Sequence, residues 1–208
     1  MLNSLARDIE VLPRRLPGFL AVPTGAPGIV VFAHGSGSSR LSARNQIVAS
    51  GMNKAGLATL LFDLLLPDEA ENRRNVFNIQ LLATRLEEAL DWLGEGEFNN
   101  LPIGLFGAST GAAAALIAAA RHADDVLAVV SRGGRPDLAV AALTRVKAPT
   151  MLIVGGNDVE VIKLNERHWP SSIVKSTSKS CLEQRTCLRS EARSMDWFIG
   201  FPGKGLTP

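Results

Sequence analysis

Cysteine is nearly absent. The 208 residues contain two, Cys181 and Cys187, both within the last thirty positions and without the partner spacing of a metal site. That excludes a disulfide framework and a zinc site, and no metal is expected. No apolar run is long enough to span a bilayer. Met1–Pro13 carries Asp8 and Glu10 where a signal peptide needs an unbroken hydrophobic stretch. A membrane is therefore not an expected partner, and the cytoplasm is the default location. An excess of one charge is also missing: 22 Lys and Arg face 20 Asp and Glu, a net charge of +2. This leaves no electrostatic footprint for nucleic acid or an anionic membrane. No phosphate-loop lysine and no dinucleotide-type glycine pattern is found, so no cofactor is expected. Histidine is scarce, with three in the chain.

What is present is a core. With 46% hydrophobic and 20% charged residues, the chain has the composition of one globular domain. Apolar runs of strand length are expected at residues 9–13, 19–23, 29–33, 57–63, 102–106, 126–130 and 150–154. Helical spacing is expected at about 42–55, 75–93, 110–120 and 137–143, with another helix starting near Val159. The first two runs predict an antiparallel hairpin turning at Pro17-Gly18. The stretch from Leu64 to Asn75 reads as a polar connection. On the helix that follows it, Arg85, Glu87, Glu88 and Asp91 read as a solvated face. Strands alternating with helices imply a mostly parallel, doubly wound sheet with helices on both faces. In such a sheet, functional groups collect at the carboxyl ends of the strands.

The strongest local pattern is Gly107-Ala108-Ser109-Thr110-Gly111, between a short apolar strand and the Ala-rich run to Arg121. Gly-x-Ser-x-Gly in that context is the pattern of a nucleophile elbow. The turn is so tight that the residues flanking the serine must be small. The serine oxygen is then lifted out at a helix N-terminus, where free N–H groups can hold an oxyanion. The competing reading is a tight turn with a buried serine. Upstream, Ile29–Ala33 opens into His34-Gly35-Ser36-Gly37-Ser38-Ser39-Arg40. This loop reads as a phosphate cradle, as the second half of an oxyanion hole, or as a flexible turn, and Ser109 downstream favours the second. Arg132 and Arg135, in Ser131–Pro136, are candidates to meet an anionic substrate group, although loop arginines commonly stay solvated or bond backbone carbonyls. Asp158 follows strand 150–154, either as a catalytic acid or as the N-cap of the next helix.

Together these four motifs, over about residues 5–167, resemble the dienelactone-hydrolase-like branch of the α/β-hydrolases. The resemblance implies an α/β-hydrolase fold, Ser109 as nucleophile and Asp158 as the acid that orients a histidine. It also implies an oxyanion hole made by the N–H of Thr110 and one from Gly35–Ser36. Dienelactone hydrolases carry cysteine at the elbow, so the serine here points to an ester or another activated acyl compound as the small-molecule substrate. The alternatives are a non-catalytic ligand-binding protein on the same fold and, more weakly supported, a phosphate- or nucleotide-binding domain.

The pattern breaks after Asp158. The order Ser, Asp, His requires a later histidine, and only His168 follows, about ten residues on. His34 precedes the glycine-serine loop and His122 ends the elbow helix. From residue 168 onward the chain gains both cysteines and seven serines and loses helical periodicity. The expected division is therefore a hydrolase core at 1–167 and an atypical tail at 168–208, with the last strand and helix missing or replaced. Two readings compete: a divergent or disordered tail, and the product of a shift of reading frame. One base upstream, the unique Trp169 codon forces leucine then alanine, and the codons up to Ser190 permit Val-Pro-Gly-Ala-Thr-His-Leu-Phe-Glu-Glu. Coding DNA without that histidine in the shifted frame would dismiss the idea.

Overall fold

The computed structural model describes residues 6–168. The tail, and with it the expectation about the last strand and helix, lies outside the described residues. The chain opens with β1 (Ala6–Val11) and β2 (Leu16–Ala21), followed by β3 (Ile29–Ala33), α1 (Ala43–Lys54) and β4 (Ala58–Phe62). Two short helices follow, α2 (Pro67–Glu71) and α3 (Arg73–Val76), and then the long α4 (Ile79–Glu95). β5 (Ile103–Ala108) leads into α5 (Thr110–Arg121), and β6 (Val126–Arg132) into a 3-10 turn at Pro136–Leu138. α6 (Val140–Leu143), β7 (Thr150–Ile153) and α7 (Val159–His168) complete the described chain.

The strands form one seven-stranded sheet in the order β1-β2-β4-β3-β5-β6-β7. β1 and β2 are antiparallel, β2 joins β4 antiparallel, and the remaining pairs are parallel. This is the expected parallel sheet with an N-terminal hairpin. The hairpin turn differs from the expectation. It occupies Leu12–Arg15, with Arg15 at φ 60°, while Pro17 and Gly18 pair with Glu10 and Ile9 inside the ladder. The physical reason is burial, because this register sets Val11 opposite Leu16 and removes both from solvent.

Alternation along the strands makes two cores, one on each face of the sheet. Ile29, Val31 and Ala33 pack with α4 and α5, whereas Val30 and Phe32 pack with α1 and Phe106. The rings of Phe32 and Phe106 lie 4.9 Å apart. α5 is alanine-rich because it is enclosed on all sides: Ala112, Ala113, Ala114, Ala115, Ala118 and Ala119 have no exposed surface.

Leu64–Asn75 is not merely a polar connection. Pro67 starts α2, Asn72 caps α3 and Asn78 caps α4, so the long helix begins at Ile79 rather than near Asn75. Arg85 is buried, contrary to the solvated face expected of it. α2 covers that part of α4, and the guanidinium bonds Glu69 at 2.7 Å and Glu88 at 3.3 Å. Among the described residues, no helix is long and apolar enough to cross a membrane.

Candidate active site

Ser109 stands where β5 becomes α5, in a conformation that L residues avoid: φ 52°, ψ −120°. Such a residue costs about 1–3 kcal/mol and persists only where its surroundings over-determine it. They do so here. A Cβ on Gly107 would lie 2.4 Å from Ala112 Cα, and one on Gly111 would lie 2.2 Å from the Ala33 carbonyl oxygen. The helix start is therefore pressed against the end of β3 more closely than any side chain permits. The Ser109 N–H donates to the Arg132 carbonyl at 3.1 Å, and the Ser109 carbonyl accepts from Ala112 N–H at 3.1 Å. The serine side chain is exposed, which removes the buried-turn reading. The opening N–H groups of α5 lack intrahelical acceptors, and its dipole favours negative charge at that end.

The loop after β3 lies against this turn. A Cβ on Gly35 would be 3.0 Å from both Ala108 O and Ser109 Cβ. The Ser36 N–H, expected as an oxyanion donor, is engaged otherwise: it donates to Thr110 Oγ1 at 2.8 Å. The loop is also held at its far end, where Arg40 N–H donates to Asp63 Oδ1 at 2.7 Å and the Arg40 guanidinium pairs with Asp63 Oδ2. His34 is locked in place. Its Nε2 accepts from Leu64 N–H at 3.0 Å, which leaves Nδ1 to donate to the Gly35 carbonyl at 3.0 Å. Burial pushes its pKa below the ordinary 6.5, against smaller opposing effects of that carbonyl bond and of Asp63. With both nitrogens engaged, His34 holds the loop and is not set to take a proton from Ser109.

The other expected site residues are arranged differently. Asp158 shares the carboxyl edge of the sheet with Ser109 and follows β7, which β6 separates from the serine's strand. Its Oδ1 accepts from Val161 N–H at 3.2 Å, so the side chain caps α7. His168 is at the other end of that helix, about 15 Å away at 1.5 Å per residue. Asp158 and His168 therefore do not form a pair. His122 follows the last residue of α5, a full helix length from Ser109, with Asp125 at 3.7 Å. The chain has three histidines, and none is placed as a base for Ser109.

The two arginines are engaged within the protein. Arg132 reaches Asn45 Oδ1 on α1 at 2.9 Å and lies over the Phe106 ring at 5.5 Å. Arg135 forms a fork with Asp137 at 2.8 and 2.7 Å. This bond holds the Asp137 carboxyl below its usual range and raises the arginine's pKa. Among the described residues, no group of three or more His, Cys, Asp or Glu is placed to hold a metal ion.

A cavity of about 510 Å³ opens beside the loop, lined by His34–Ser39, Asp63, and residues of α2 and α3 with their flanks. Ser109 is not among its lining residues, but Gly35 both lines it and touches the serine. Its far wall joins the stretch expected to be a polar connection, through Leu65, Pro67, Ala70 and Arg73, to the start of the helix expected after it, through Val76, Phe77 and Leu82.

Comparison with known proteins gives the following. A profile of the dienelactone hydrolase family matches residues 16–180. A solved dienelactone hydrolase from Anabaena variabilis is 48% identical, covers 94% of this chain and 96% of its own, and superposes with a TM-score of 0.84. An alpha-beta serine hydrolase homologue from Coxiella burnetii shares the fold at 18% identity, with 96% and 98% of the two chains covered and a TM-score of 0.74. Two Mycobacterium tuberculosis proteins named "Putative phosphoribosyl transferase" are 50% identical over 202 residues, covering 92% of this chain. The chain spans 46% of their length.

Proposed function

The chain belongs to the dienelactone hydrolase family, and from that footing we propose that it is an ester-cleaving hydrolase with Ser109 as nucleophile. The observation that carries this is the exposed Ser109 at φ 52°, ψ −120°, held at the N-terminus of a 12-residue helix by two glycines that cannot bear a side chain. In the proposed reaction the Ser109 oxygen attacks the acyl carbonyl, and the oxyanion is held by the Thr110 N–H and a donor of the Gly35–Ser36 loop. The C–O bond to the alcohol breaks and the alcohol leaves with the proton. Water then attacks the acyl-serine and releases the acid. For Ser36 to be that donor, the Thr110 hydroxyl must turn away from its N–H.

The proton acceptor is the missing part. Asp158 is proposed to orient a histidine, and the three histidines of this chain are placed elsewhere. The shifted reading frame permits one. The transferase name of the Mycobacterium relatives belongs to proteins more than twice the length of the part aligned here, and the elbow favours hydrolysis over that activity. The histidine placement favours a second reading, a hydrolase fold that binds an acyl ligand without turning it over.

A fluorophosphonate probe separates the two, with Ser109→Ala as control. The hydrolase reading expects slow labelling that is lost in the variant and accelerated by added imidazole, which supplies the base from solution. A folded protein that stays unlabelled with imidazole, yet binds ligand saturably near His34–Arg40, would establish the binding reading instead.

A further inference from the structure

The cavity beside the oxyanion loop carries its own specificity. Two of its charged or titratable lining groups are matched inside the protein: Asp63 is paired with Arg40, and the His34 ring is bonded at both nitrogens. Apart from Arg73 and the serines of the loop, the remaining walls are mainly apolar. Leu65 and Leu82 are buried beneath the cavity, Val76 is half-buried, and the Phe77 ring is 51% exposed at the cavity wall. A ligand seated against it would bury the ring. Arg73 also lines the cavity; it is exposed, and its guanidinium lies over the Phe77 ring at 5.7 Å. A volume of about 510 Å³ lies within the range of small-molecule sites, and such sites are mainly apolar with a few polar groups fixing orientation. Gly35 joins the cavity to Ser109, so a group held here remains attached to a carbonyl at the elbow.

We propose that this cavity receives a neutral, apolar alkyl or aryl group of the substrate, packed between the Gly35–Ser39 loop and the Leu65–Val76–Phe77–Leu82 wall. The inference rests on the hydrolase reading for what is attached to that group, but binding itself requires no reaction. It is therefore tested on Ser109→Ala protein by calorimetric titration. The probes are n-alkanols from butanol to octanol, and 4-phenylbutan-1-ol against 4-phenylbutyrate. The expected result is saturable binding that tightens about three- to fourfold per methylene until the cavity is filled. The phenyl alcohol should bind at least tenfold more tightly than the carboxylate. Ala70→Trp, at an exposed lining position, should abolish binding by filling the space, and Val76→Asp should weaken it strongly. Absence of saturable binding, or affinity independent of chain length, overturns the proposal. So does a carboxylate that binds as tightly as the alcohol and is lost in Arg73→Gln. Labelling of Ser109 in the unmodified chain decides the hydrolase reading separately, so either idea can fail without the other.

Discussion

The carboxyl edge of the sheet has two unlike halves. Around β3, β5 and β6 the parts hold one another. Gly111 lies against the Ala33 carbonyl, Gly35 against Ser109, Ser36 on Thr110, and the Arg132 carbonyl accepts from Ser109 N–H. Around β7 and α7, the Asp158 side chain bonds only its own helix among the described residues, and an added Cβ on the neighbouring Gly155 would touch nothing within 4 Å. The first half is made by backbone packing and is complete in itself. The second is held locally, and the histidine expected to partner Asp158 is not found beside it among the described residues. The two halves are thus maintained by different forces: close backbone packing around Ser109 and local helix capping around Asp158.

The contrast can be broken most forcefully by supplying the partner. Restoring the frame after Arg167 should raise the rate of Ser109 labelling by several orders of magnitude, the scale of a missing triad base. An unchanged rate would mean the elbow half is not competent either. Next in size is Gly111→Ala. Its Cβ would meet backbone atoms at 2.2 and 2.3 Å, so we expect at least about 3 kcal/mol of destabilisation, a Tm lower by about 6–12 °C, or no folded protein. A thermal melt near that of the parent would show that the two halves are equally slack.

Ser109→Gly should do the reverse. Relief of the left-handed strain is expected to stabilise by about 1–3 kcal/mol while abolishing labelling. A fall in Tm would mean that the hydroxyl, rather than the turn, is what the fold requires. His34 gives a pH-dependent measure of the same half. Because its folded pKa lies below 6.5, the unfolded chain binds the proton first as pH falls. Stability is fully present above that value and is lost at lower pH until the folded pKa is reached, by up to about 1.4 kcal/mol per pH unit. His34→Gln, which can still accept from Leu64 N–H, should remove that slope in melts between pH 7 and 5. A parallel pH dependence in the variant would assign it elsewhere. The smallest effect belongs to the other half: Asp158→Ala should cost only about 1 kcal/mol as a lost N-cap. A loss as large as that of Gly111→Ala would give Asp158 a structural role in the described core.

The elbow was legible because its chemistry is local. Small residues on both sides of a serine, between an apolar strand and a helix of alanines, leave few other conformations, and the spacing of seven apolar runs leaves few other sheets. The mismatch between Asp158 and His168 was legible too, since ten residues on one helix separate two side chains by the helix's own length. The turn at Leu12–Arg15 was not, because Pro17-Gly18 is as good a local turn signal, and only the pairing of Val11 with Leu16 across the hairpin decides between them. Nor was the buried Arg85, whose helical spacing suggested solvent until α2 covered it with Glu69.

The sequence by itself therefore determined the parallel sheet, the placing of Ser109 at a helix N-terminus, and the shortage of histidines, because periodicity, steric demand and residue counts are properties of the chain alone. Only the tertiary structure decided that the Thr110 hydroxyl holds the Ser36 N–H, that His34 is locked between Leu64 and Gly35, and that an apolar cavity lies beside the glycine-serine loop. Ser36 and Thr110 are 74 residues apart and His34 and Leu64 are 30. At such separations a hydrogen bond forms only once the sheet has brought strand ends together.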